Sequence, residues 1–161
     1  MITKHEAQVK KDLANKTITV VKEVDADIDT VWEAWTDSDQ LDKWWAPKPW
    51  RAETETMDFK EGGSWLYYMV GPKGERHGSR FDYDEINAPK QFSGTDSFVG
   101  GEMGNLPSSE WTVRFSKAGA GTRIEAVLTF DKKEDLEKIL ETGFEEGFKS
   151  GLDNLEELLA K

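Results

Sequence analysis

From Lys133 to Lys161 the apolar residues return with the period of an α-helix. Leu136, Leu140, Phe144, Phe148, Leu155, Leu158 and Leu159 fall on one side, and Glu137, Lys138, Glu145, Lys149, Asp153 and Glu156 on the other. No proline interrupts the stretch. The pattern predicts one amphipathic helix of about 25 residues, roughly 38 Å long. Such a helix must bury its apolar side against another layer, which limits what the rest of the chain can build. Its odd feature is the row Gly143, Gly147 and Gly151, spaced four apart in the middle of the apolar arc. Each interior glycine costs a helix about 1 kcal/mol relative to alanine. Either the backbone approaches a sheet closely there, or the missing side chains leave a hollow between helix and sheet. The two readings are compatible.

The preceding chain supplies the sheet. Lys16 to Val24 alternates and is rich in β-branched residues, which predicts a first strand with Ile18, Val20 and Val24 inward. Two short helices follow. The first carries Val31, Trp32, Ala34 and Trp35, with Thr30-x-x-Glu33 fitting a capping box and Asp27 or Asp29 as alternative caps. The second presents Leu41, Trp44 and Trp45 and stops at Ala46-Pro47-Lys48-Pro49. From Trp50 the period changes to two, predicting strands over 50–58, 64–70, 78–87, 90–97, 109–117 and 121–130. Trp65, Tyr67 and Met69 share one face, as do Trp111, Val113 and Phe115. Asp82, Asp84, Arg114, Arg123 and Glu125 point the other way. The expected class is therefore α+β: a curved antiparallel sheet of about six to seven strands gripping the C-terminal helix, with two short helices closing one end. Residues 1–15 read as an extension or edge strand and 16–161 as one domain.

The composition narrows the function. A net charge of −11, from 32 acidic and 21 basic residues, disfavours nucleic acid and anionic membrane surfaces as partners. Without cysteine there is no disulfide and no thiolate metal site. No apolar run reaches the 18 to 20 residues of a membrane span, and Met1 to Leu13 lacks the apolar centre of a signal peptide, so the cytoplasm is the expected location. The two histidines, His5 and His77, form no metal-binding spacing. No nucleophile elbow or phosphate loop is present. No metal, no cofactor and no catalytic residue is expected. Most carboxylates alternate outward, with the register of Asp58, Asp96 and Glu110 left open.

Thr30-Val31-Trp32-Glu33-Ala34-Trp35-Thr36-Asp37, followed by Leu41-Asp42-Lys43-Trp44-Trp45-Ala46-Pro47, resembles the START-like (SRPBCC, birch-pollen-allergen-like) superfamily. Within it the chain looks like the branch of homologues of the activator of heat-shock protein 90 ATPase. Met57 to Gly63, the Glu85-Ile86-Asn87-Ala88-Pro89 turn and Gly147-Phe148-x-x-x-Leu152-x-x-Leu155 agree in order and spacing. The resemblance covers roughly residues 16–160. It departs at Asp27, where the family often has proline. It implies the helix-grip fold and either an internal cavity for a lipid or polyketide-like molecule, sometimes with cyclase or hydrolase activity, or a heat-shock chaperone as partner.

Two sets of residues carry these alternatives. Trp65, Tyr67, Met69, Phe81, Phe92, Trp111, Phe115, Gly143, Phe144, Gly147 and Phe148 are the expected lining of a cavity for a small apolar ligand. The glycine-rich stretch from Phe98 to Ser108 suits a lid over its mouth. Trp44, Trp45 and Trp50, around Pro47, are the candidate patch for a protein partner.

Overall fold

The computed structural model describes residues 6–100 and 106–160. Its strands are β1 (Gln8–Asp12), β2 (Thr17–Val24), β3 (Arg51–Met57), β4 (Ser64–Val70), β5 (Arg76–Asn87), β6 (Gln91–Val99), β7 (Ser109–Ala118) and β8 (Gly121–Thr129). The helices are α1 (Ile28–Thr36), α2 (Ser38–Trp44), α3 (Lys133–Glu141) and α4 (Phe144–Leu159). The strands make one antiparallel sheet in the order β1-β2-β8-β7-β6-β5-β4-β3, and α4 lies across its apolar face. This is the helix-grip arrangement of the α+β class. The strand beyond the expected six to seven is β1, paired to β2 from Gln8↔Val21 to Asp12↔Thr17.

Alternation sorts the sheet into two faces. Ile18, Val20, Val24, Trp111, Val113, Phe115, Ile124, Ala126 and Leu128 are all at most 4% exposed. On the outer face Glu125 pairs with Arg114 and Arg123, both at 3.5 Å. The first helix is capped by Asp27, whose Oδ1 accepts the Thr30 N–H at 2.8 Å, so the Thr30 capping box is not used. At the next corner the Trp44 indole donates to the Ala34 carbonyl at 2.9 Å, and Asn154 of α4 donates to the Ala46 carbonyl at 2.9 Å. The first bond ties α2 to α1, and the second ties the linker after α2 to the long helix.

The single helix expected over 133–161 is two. Gly143 adopts φ +86°, a left-handed conformation that terminates α3 and starts α4. The apolar stripe runs on across the break because both helices pack on the same core, with Leu136 and Ile139 buried before it and Phe148, Leu152 and Leu155 after it. Side-chain periodicity therefore does not register the change in backbone. One residue of the polar side also moves. Glu156 is buried and accepts a hydrogen bond from the Lys22 ammonium at 2.8 Å, joining α4 to β2. Lys22 shares the inward parity of Ile18, Val20 and Val24, and a buried ammonium requires an anion.

Candidate functional site

Where α4 begins, helix and sheet part. The space is a cavity of about 270 Å³ between the α3–α4 break, the linker after α2, and the inner face of β4 to β7. That is slightly below the 300–1,000 Å³ common for small-molecule pockets. Seven of the expected lining residues meet there: Tyr67, Met69, Trp111, Gly143, Phe144, Gly147 and Phe148. The other four do not. Trp65, Phe81, Phe92 and Phe115 are 3–5% exposed and belong to the close-packed core, where Trp65, Phe81 and Phe92 border a void of only about 10 Å³. Trp35 packs against Phe92 and Phe115, Trp45 against Trp65, and Phe81 against Tyr83, Phe92 and Trp111.

The glycine row divides between the two readings given for it. At Gly151 a Cβ would come within 3.0 Å of the Trp45 carbonyl oxygen and 3.3 Å of that of Trp44, a close backbone approach. At Gly147 the nearest atom would be Pro47 Cγ at 3.8 Å, an ordinary contact, and the missing side chain is part of the hollow. Gly143 contributes the turn.

The tryptophans of the proposed partner patch are not exposed as a group. Trp44 is 0% exposed and offers no surface to a partner. Trp45 is half-buried and faces inward, with T-shaped contacts to Trp35, Trp65, Tyr67 and Phe148, so it is a wall of the cavity. Trp50 stacks on His77 at 5.5 Å, and both rings also line it. Of the stretch suggested as a lid, Phe98 lies in the cavity wall, while 101–105 are outside the described residues.

Besides His77, three polar groups interrupt this aromatic lining on the sheet side. The Tyr67 hydroxyl accepts the Trp45 indole N–H at 3.0 Å. Burial and the neighbouring Asp96 carboxyl push its ionisation well above the ordinary tyrosine value, while hydrogen bonding to Trp45 and Ser79 works the other way. Ser79 is cross-strand from Tyr67. Asp96 is the inward carboxylate that was left open: Asp58 and Glu110 are exposed, whereas Asp96 lines the cavity. Part of it borders the hollow, but its Oδ1 is closed off from solvent and has no hydrogen-bond partner among the described residues. Desolvation raises its pKa from 3.8 to about 7. The signal was in the strand itself. Phe92, Gly94, Asp96 and Phe98 alternate on one face, and once Phe92 is placed inward Asp96 follows. A carboxyl so placed can hold or release a proton near neutrality or accept a hydrogen bond from a guest.

Among the described residues no group of histidine, cysteine or carboxylate side chains could hold a metal ion. No described helix is long and apolar enough to cross a membrane.

This fold of a gripped helix and two short helices has relatives. Residues 25–160 match the family described as Activator of Hsp90 ATPase homolog 1-like protein. The chain belongs to that family. The Hsp90-activator-homologue fold recurs in protein Ms6760 from Mycobacterium smegmatis, which is 31% identical with a TM-score of 0.87, over 95% of this chain and 96% of that one. A protein from Arthrobacter aurescens is 33% identical, with a TM-score of 0.90, over 95% and 91% of the two chains. Protein NE0264 from Nitrosomonas europaea is 25% identical, with a TM-score of 0.80, over 91% and 96%. No curated protein matches the chain.

Proposed function

We propose that this member of the Hsp90-activator-homologue family is a binding protein that carries a small, largely apolar molecule in the cavity at the start of α4. The observation that supports this most directly is the combination at Gly147 and Gly143. The helix gives up side chains and continuity where the cavity lies, yet stays closely packed at Gly151, where it does not. A solid core would gain from filling that space, since unfilled volume forfeits dispersion contacts.

Native mass spectrometry of protein purified from its own host, compared with the denatured mass, tests the reading. A reproducible extra mass is expected, and Gly147→Leu should abolish it. The same variant should melt within about 3 °C of the wild type, because alanine-like gains in helix propensity accompany a side chain entering open space. A bare mass in the wild type, persisting through a screen of lipids and polyphenols, would overturn it. The second reading, binding of the Hsp90 chaperone, follows from the family's description. It would then gain support from stimulation of the Hsp90 ATPase by the purified protein.

A further inference from the structure

The chemistry of the cavity restricts its guest further. A carboxyl group set among aromatic rings is an unstable arrangement when empty, because the charged form lacks water and the neutral form leaves an acceptor unused. Asp96 is in that position: its Oδ1 is enclosed and has no hydrogen-bond partner among the described residues, and the side of the residue that borders the hollow is where a guest would meet it. Its cross-strand neighbours are Phe81 of β5 and Ser109 of β7, whose hydroxyl accepts the Trp111 indole N–H. The cavity wall around it takes Tyr67 from β4, His77 and Ser79 from β5, Trp111 from β7, Trp45 and Trp50 from the linker after α2, and Thr142, Phe144 and Phe148 from the helices. His77 is the one ionisable nitrogen among these described residues, and its ring stacks on Trp50. No lysine or arginine of the described residues lines the cavity to neutralise the carboxylate.

Resting on the binding reading above, the geometry points to an organic amine as the guest: an ammonium head held by the Asp96 carboxylate and the faces of the surrounding rings, with an apolar or aromatic body filling the rest. The charge supplies what the carboxylate lacks. Aromatic faces add cation–π attraction, which strengthens when the site is desolvated. The same carboxylate repels an anionic head, so a fatty acid is a poor fit. Asp96 must ionise to make the pair. Amine binding is therefore coupled to loss of one proton wherever the empty site holds the neutral acid.

The test uses 4-phenylbutylamine, 4-phenylbutan-1-ol and 4-phenylbutyrate, three probes with one body and different heads. Their affinities are measured on the full chain by calorimetry between about pH 5.5 and 8.5. At the upper end the amine should bind about tenfold or more tightly than the alcohol, and the acid most weakly. Below about pH 7 the amine's affinity should fall by up to about tenfold per pH unit while the alcohol's stays level. In two buffers of different ionisation enthalpy near pH 6, amine binding should release close to one proton and alcohol binding none. Asp96→Asn should erase the preference and the slope, and His77→Gln should keep both, which assigns the slope to the carboxyl. Should Asp96→Asn fail to fold, the wild-type pH series and proton release decide. Equal binding of amine and alcohol, a tighter acid, or a preference that survives Asp96→Asn overturns the amine assignment and leaves the cavity a binding site. If none of the three binds, the amine assignment falls, and the binding reading falls with it only when the native mass is also bare.

Discussion

Burial of one carboxyl group makes the stability of the protein depend on pH. Asp96 ionises at 3.8 when solvated and at about 7 in the folded chain. The unfolded state therefore sheds its proton first. Below about pH 4 both states hold the proton and the residue has no effect on stability. Between about pH 4 and 7 the folded state loses ground, and above about pH 7 the full penalty applies. At about 1.4 kcal/mol per pH unit this comes to about 4–5 kcal/mol, an upper bound since the site can relax or admit water. Asp96→Asn removes the ionisation. It should raise the melting temperature by several degrees at pH 8 and by little at pH 4.5, read by circular dichroism. Equal shifts at both values would mean that the carboxyl is not buried as described. Such a penalty, in a largely aromatic wall, supports the binding reading proposed for Asp96.

The long helix is held at two places by different chemistry. At Gly151 the absence of a side chain lets α4 sit on the carbonyls of Trp44 and Trp45. One turn further on, Glu156 meets the enclosed Lys22, with Asp153 Oδ1 at 3.6 Å from the same ammonium. Removing one partner of a buried pair costs about 3–5 kcal/mol, whereas replacing both by apolar residues is often neutral or better. Glu156→Gln should therefore lower stability in urea by about 2–4 kcal/mol, the lower end reflecting the help of Asp153. Lys22→Met with Glu156→Leu should recover most of that loss, and a double variant no better than the single one would show that the charges themselves hold the helix. The helices show where the sequence was readable and where it was not. The apolar stripe from Leu136 to Leu159 and the alternation of β7 and β8 specified which faces are buried, and with them the fold. The break at Gly143 was hidden because the stripe continues across it. Lys22 and Asp96 were hidden because hydrophobicity places charged residues outside, although their strand parity points inward. The lining was half legible: alternation gives the face of Trp65 or Phe92 but not its depth, which depends on what Trp45 and Trp35 fill first.

The molecule as a whole carries eleven net negative charges. Its exposed ion pairs, such as Lys48–Glu157 at 3.2 Å, are individually worth little. Self-repulsion should dominate, so raising sodium chloride from about 10 mM to about 500 mM, which shortens the screening length from about 30 Å to a few ångströms, should raise the melting temperature by a few degrees. A fall would show that surface pairs outweigh repulsion. That surface, the sheet core and the α4 anchor are separate from the cavity in a useful way. Gly151 cannot gain a side chain without moving backbone, whereas Gly147, one turn earlier on the same row, meets only the edge of Pro47. Replacement at the second position changes the bore of the cavity and leaves the fold's fastening untouched. On the binding reading proposed above, a single substitution at 147 therefore changes the size of guest the cavity admits without repair elsewhere.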